Sequence, residues 1–151
     1  MSELIAMHIE QFKNFLQLYE INYSFEEPFF HIPVTGGSEI TFTMRVSIDE
    51  QFYLVDCFLP NYVPDETRES VNTYITLLNS RLKLGHFIID LSNGSVIYRT
   101  TGIFDDDFSH NQASIILSSS VNVFSESCRS ILQIAYGNFD PFEMYNNIVG
   151  D

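Results

Sequence analysis

Three consecutive carboxylates, Asp105, Asp106 and Asp107, form the densest acidic cluster of this 151-residue chain. Carboxylate oxygens are ligands that Mg²⁺ and Ca²⁺ prefer. The cluster, however, lacks the alternating ligands and central glycine of a calcium-binding loop between helices. Adjacent residues of an extended chain also point in opposite directions. The triplet therefore reads as a solvated loop that caps the following helix. The alternative is a metal-dependent enzyme or ion-binding protein that uses these three carboxylates. The four histidines, His8, His31, His86 and His110, fall on four different elements, none paired at i, i+4 and none beside a cysteine. Tetrahedral zinc sites usually show at least one short ligand pair. Cys57 and Cys128 match no metal spacing, and no nucleophile signature surrounds either. They read as free, partly buried thiols of a reducing compartment. Thr35-Gly36-Gly37-Ser38 lacks the lysine and spacing of a phosphate loop and reads as a turn. No catalytic residue, metal ligand or cofactor is assigned, and the chain reads as non-enzymatic.

Charge narrows the partners. Seven basic and 20 acidic side chains give a net charge of −13. Phosphate backbones are bound by clustered Lys and Arg, so nucleic acid is excluded as a partner. An anionic membrane surface is excluded for the same reason. No apolar run reaches the roughly 18 residues of a membrane span. Met1-Ser2-Glu3 has neither the basic start nor the apolar core of a signal peptide. The expected location is the cytoplasm. Apolar residues make up 45% of the chain, with 14 Phe, 8 Tyr and no Trp, so the core should be rich in rings. A chain of about 150 residues buries enough surface to fold without staples.

The elements follow from periodicity. Residues 3–20 carry Leu4, Ile5, Ile9, Phe12, Phe15, Leu16 and Tyr19 at helical spacing, capped by Ser2. Pro28 and Pro33 bracket a short extended piece, 29–32, that proline should confine to an edge or an end. Residues 39–48 alternate, with Ile40, Phe42, Met44, Val46 and Ile48 on one face. A strand over 51–59 follows, with Phe52, Leu54 and Cys57 or Phe58 inward. Asp65 or Thr67 caps a helix over 67–83, and Gly85 follows its end. Residues 86–91 and 95–101 flank Asn93-Gly94, the strongest short hairpin signal. The segment 109–136 has local strand preferences within 113–124. Leu117, Val121, Phe124, Cys128, Ile131 and Ala135 nevertheless step by threes and fours, which makes it a helix. Pro141 opens a short final helix, 141–147. The order α-β-β-β-α-β-β-α, with its tight hairpins, predicts one α+β domain over 1–151: an antiparallel sheet with helices packed on it.

Val71-Asn72-Thr73-Tyr74-Ile75 through Leu78-Asn79, the hairpin from His86 to Arg99, and Ile134-Ala135-Tyr136-Gly137-Asn138-Phe139-Asp140-Pro141-Phe142-Glu143 carry a family resemblance. Together they resemble the YbjN-like family of candidate bacterial sensory-transduction regulators, within the type III secretion chaperone-like fold. The likeness covers residues 65–145, and the first 60 residues share only the order of elements. It implies that fold, dimerisation and a chaperone-like or regulatory binding role, and it implies no catalytic residues. Segment 103–107 departs from the pattern.

One further pattern bears on partners. Residues 109–136 carry only two charged side chains, Glu126 and Arg129. So uncharged a helix in so acidic a chain is either sandwiched or forms an interface. Phe29, Phe30, Ile32, Leu117, Val121 and Phe124 are the candidate surface for a protein partner or a second copy in a homodimer.

Overall fold

The computed structural model describes residues 2–35 and 40–149. Helix α1 (Glu3–Leu18) begins at Ser2, whose hydroxyl accepts from the Ile5 N–H at 3.1 Å. Six strands follow in two groups. The first is β1 (Ser24–Glu26), β2 (Phe29–Thr35), β3 (Thr41–Ile48) and β4 (Phe52–Phe58). Helix α2 (Arg68–Asn79) then leads to β5 (Gly85–Ile89) and β6 (Val96–Ile103), and helices α3 (His110–Gly137) and α4 (Pro141–Val149) close the chain. Every strand pair is antiparallel and the order is β1-β2-β3-β4-β6-β5. The α+β architecture is as expected, with one added strand and a longer last helix. Among the described residues no helix is long and apolar enough to cross a membrane.

The inner face of the sheet meets the helices. Phe30, Ile32, Phe42, Met44, Val46, Tyr53, Val55, Cys57, Phe87 and Tyr98 are buried there, against Phe12, Phe15 and Leu16 of α1, Tyr74 of α2 and Phe124 and Ile131 of α3. The expected aromatic core is present: Phe12 contacts Phe30 and Tyr53 with ring centroids 5.3 Å apart, and Phe42 meets Phe124 at 4.7 Å. Offset and edge-on ring pairs of this kind add to the burial of their area. Gly102 stands where a Cβ would lie 2.0 Å from the Tyr53 ring, so the backbone of β6 can pass only as glycine.

Several details differ from the sequence reading. Strand β1 is only three residues long, too short to show alternation. It covers only Phe29, Phe30 and His31 of β2, so the rest of β2 remains an edge. Pro33 lies past the end of β1, where proline's missing N–H can face an unpaired strand edge. In β4 the inward residues are Tyr53, Val55 and Cys57; Phe52 and Leu54 point outward, opposite to expectation, and of the two alternatives Cys57 is inward and Phe58 outward. A slip of one residue exchanges the faces of a strand, and β4 is apolar on both. The Thr67 hydroxyl does not cap α2. It donates instead to the Ala135 carbonyl at 2.8 Å, tying α2 to the far end of α3. Gly85 opens β5, while α2 ends at Asn79 with Ser80 as its cap. Asn138, at φ 55°, takes the left-handed position that ends α3. The hairpin turn holds Gly94 at φ 82°, as Asn-Gly demands. Of the turn expected at Thr35-Gly36-Gly37, the glycines lie outside the described residues.

Candidate functional site

Two surfaces stand out, one on each side of the sheet. The first is a groove of about 560 Å³ on the helical side, between β2, β3 and α3. Its walls are Ile21, Ile32, Val34, Met44, Leu117 and Val121, with Ser118 and Asn122 at the α3 rim. Three of the six residues singled out from sequence, Ile32, Leu117 and Val121, thus meet in one place. The other three do not. Phe30 and Phe124 are wholly buried in the protomer core and cannot be a surface. Phe29 points to the opposite face of the sheet. The groove continues onto the outward stripe of α3: Asn111, Ile115, Ser118, Asn122, Glu126 and Arg129 are exposed. These six follow one another by threes and fours, and their only charges are one acid and one base.

The second surface is the outer face of the sheet, opposite the one on which the described helices pack. The strand register places His31, Arg45, Asp56, Arg99 and His86 in one row across β2, β3, β4, β6 and β5. Asp56, at the centre, has no exposed surface. It accepts a fork from Arg99, through Nε at 2.7 Å and Nη2 at 2.9 Å, and Arg45 Nη2 lies 3.5 Å away. The carboxylate raises the Arg99 guanidinium above its ordinary range. The Arg45 guanidinium carbon sits 4.9 Å from the centroids of both Phe29 and Phe58. Two rings and a carboxylate thus fix one cation in place. Apolar residues flank the row: Phe29 and Leu54 on one side, Phe58, Ile97 and Ile88 on the other. Sequence reading missed this face because Arg45, Asp56 and Arg99 lie on three separate strands. The available signal was a charged residue at an outward position of each.

The other chemical candidates do not come together. Among the described residues no group of three or more His, Cys, Asp or Glu could hold a metal ion. Asp105, Asp106 and Asp107 are exposed, and Asp105 accepts from the neighbouring Asp106 N–H. The cap of α3 is Ser109, which accepts from the Gln112 N–H at 3.0 Å, so the aspartates do not cap it. His8 is buried, stacked on Phe104 at 3.9 Å and bonded to the Glu50 carbonyl.

Both cysteines are free and buried. Burial pushes the Cys57 thiol up to about 12, with Asp56 adding to the shift, and the Cys128 thiol up to about 11. The thiolate is the reactive form. An aromatic disulfide reagent at pH 8 should therefore label neither cysteine in the folded chain and both in denaturant. Rapid labelling of either native thiol would place it at the surface and contradict the core described here.

No family model and no curated protein matches the chain. Among solved structures its fold is similar to that of YbjN, a candidate transcription regulator from E. coli. The TM-score is 0.66 over 83% of this chain and 89% of that one, at 10% sequence identity. At that identity the likeness establishes the fold. The YbjN-like fold read from the hairpin and the closing helices is therefore the fold of this chain.

Proposed function

We propose that this chain is a non-catalytic protein-binding module with a chaperone-like or regulatory role, acting as a homodimer inside the cell. The observation that carries the reading is the neutral apolar groove along α3. A chain of net charge −13 repels its own copies over most of its surface. Two copies can approach only where that charge is absent. The α3 stripe, with Glu126 offset by Arg129, is such a place, and the half-buried Ile21, Val34 and Val121 supply apolar area beside it, over a floor of buried Ile32 and Leu117. A symmetric pair would lay α3 of each copy along the groove of the other.

Light scattering on a sizing column, at two concentrations, tests this directly. The expected mass is near twice 17.4 kDa. Val121 is half-buried and lines the groove, so Val121→Glu should leave the fold intact and return the mass to that of one chain. A single-chain mass for the native protein at both concentrations would remove the dimer.

A further inference from the structure

The centre of the sheet's outer face is locally positive in a chain that is acidic overall, with the exposed Glu26, opposite Phe29 on β1, at the rim of that face. At its centre two guanidiniums, Arg45 and Arg99, surround one carboxylate, Asp56, a local excess of one positive charge in a chain of −13. The cations are presented and not hidden: about a third of each side chain is exposed, 33% for Arg45 and 31% for Arg99. Their donors are not exhausted. Asp56 takes Nε and Nη2 of Arg99 and leaves Nη1 outside the fork. Arg45 Nε is itself buried without an acceptor, so a ligand would meet Arg45 through its terminal nitrogens. A guanidinium carries five donors in a rigid plane that matches a carboxylate, and stacking between Phe29 and Phe58 holds that of Arg45 in place before any ligand arrives. Apolar side chains lie on either side, Phe29 and Leu54 in a row with Glu26, Ser47 and Thr101, and Phe58, Ile97 and Ile88 in a row with Pro33 and Thr43.

We infer that this face is a docking site for an extended acidic segment of a partner protein, one that carries carboxylates and apolar side chains at every second residue, so that both lie on the face turned to the sheet. The inference rests on the protein-binding reading and deepens it. Charge complementarity chooses the occupant. A second copy would bring its own Arg45 and Arg99 against these two, doubling an excess of like charge. Nucleic acid would meet only two adjacent cations within a strongly acidic surface, whereas phosphate backbones are bound by many. A segment with one or two carboxylates fits the two guanidiniums, and its apolar residues fit the flanking rows. Steering by the positive centre would also make association sensitive to salt.

The test uses the full chain and fluorescence anisotropy. The probe is a short labelled peptide of repeat Leu-Ser-Glu-Ser, which puts leucine and glutamate on one face of an extended chain, with glutamine and lysine in place of glutamate as controls. The glutamate peptide should bind, weaken as salt rises, and exceed both controls. Arg45→Gln, which leaves the Arg99–Asp56 fork in place, should weaken it about tenfold, as expected for one lost charge-assisted contact. Thr43 is exposed two residues from Arg45 on the same face, so Thr43→Glu should abolish binding without touching the network. Equal binding of the glutamine peptide, or no effect of Thr43→Glu, would overturn the assignment. So would a loss of dimer mass on Thr43→Glu, which would give the face to a second copy, or tighter binding of duplex DNA than of the glutamate peptide. Val121→Glu separates the two readings: it should abolish the dimer and leave peptide binding unchanged. Peptide binding by a native chain that is monomeric would remove the dimer and keep the sheet-face site.

Discussion

Phe124→Ala should destabilise the protomer by about 3–5 kcal/mol, the usual cost of removing a buried ring. For a chain of this size that corresponds to a fall in melting temperature on the order of 10 °C. Phe124 has no exposed surface and meets Phe42 at 4.7 Å and Phe87 at 6.3 Å. It joins the middle of α3 to β3 and β5, so no single neighbour can collapse into the space it leaves. The measurement is thermal melting followed at two protein concentrations. A core ring gives a loss that does not depend on concentration. A ring in a dimer interface gives a loss that shrinks as mass action restores the dimer. Val121, one turn away on the groove wall, should behave in the second way. A Phe124→Ala chain that melts within a degree or two of the native protein would mean that the core is not packed around this ring.

The contrast between Phe124 and Val121 also shows what a linear pattern can resolve. The steps of three and four from Leu117 to Ala135 identified a helix, and α3 spans His110–Gly137. Periodicity places residues on a stripe. It does not say how wide the stripe is or where the sheet ends beneath it. Phe124 and Val121 are both apolar and both on the expected side, yet one is covered and the other lines an open groove. The distinction depends on where β2 and β3 run under the helix, which is a long-range fact.

Strand β4 illustrates a second limit. Its sequence, Phe-Tyr-Leu-Val-Asp-Cys-Phe, is apolar at odd and even positions alike. Its outer face carries a single polar residue, Asp56, among Phe52, Leu54 and Phe58, too weak a signal to announce the register, so inward and outward assignments of Phe52 and Leu54 are near equals on sequence. That ambiguity concealed the outer face as a unit. Once Tyr53, Val55 and Cys57 are placed inward, Asp56 is forced outward, and the register then sets Arg45 and Arg99 on either side of it. The hairpin at Asn93-Gly94 was legible because its geometry is local: the left-handed φ at Gly94 is required within a few residues. Thr67 shows the converse. Its type suits a helix cap, but a carbonyl 68 residues away at Ala135 captures its hydroxyl.

The row across the outer face should be as important to stability as to binding, and Asp56→Ala tests it. The substitution removes the carboxylate that separates Arg45 from Arg99, leaving two like charges on strands that flank β4. Breaking a fully buried ion pair from one side costs about 3–5 kcal/mol. Here the arginines keep about a third of their surface in water, with side-chain exposures of 33% and 31%. The expected loss is therefore smaller, about 2–3 kcal/mol. Arg99→Ala should cost more than Arg45→Ala, because Arg99 supplies the two short bonds of 2.7 and 2.9 Å and Arg45 only a 3.5 Å approach. Without Arg99 a carboxylate with no exposed surface keeps one distant cation. The double replacement Asp56→Leu with Arg99→Leu distinguishes charge from shape. It removes the burial cost of both ions and puts apolar side chains between Phe58, Leu54 and Ile97, so it should recover stability lost in Arg99→Ala. Denaturant titration of the four variants reads these differences as shifts in midpoint at constant slope. If Asp56→Ala and Arg99→Ala both unfold with the native midpoint, the row contributes nothing to the fold. If the double leucine variant recovers stability but no longer binds the glutamate peptide, the ions are there for recognition, and their burial is a cost the fold bears for it.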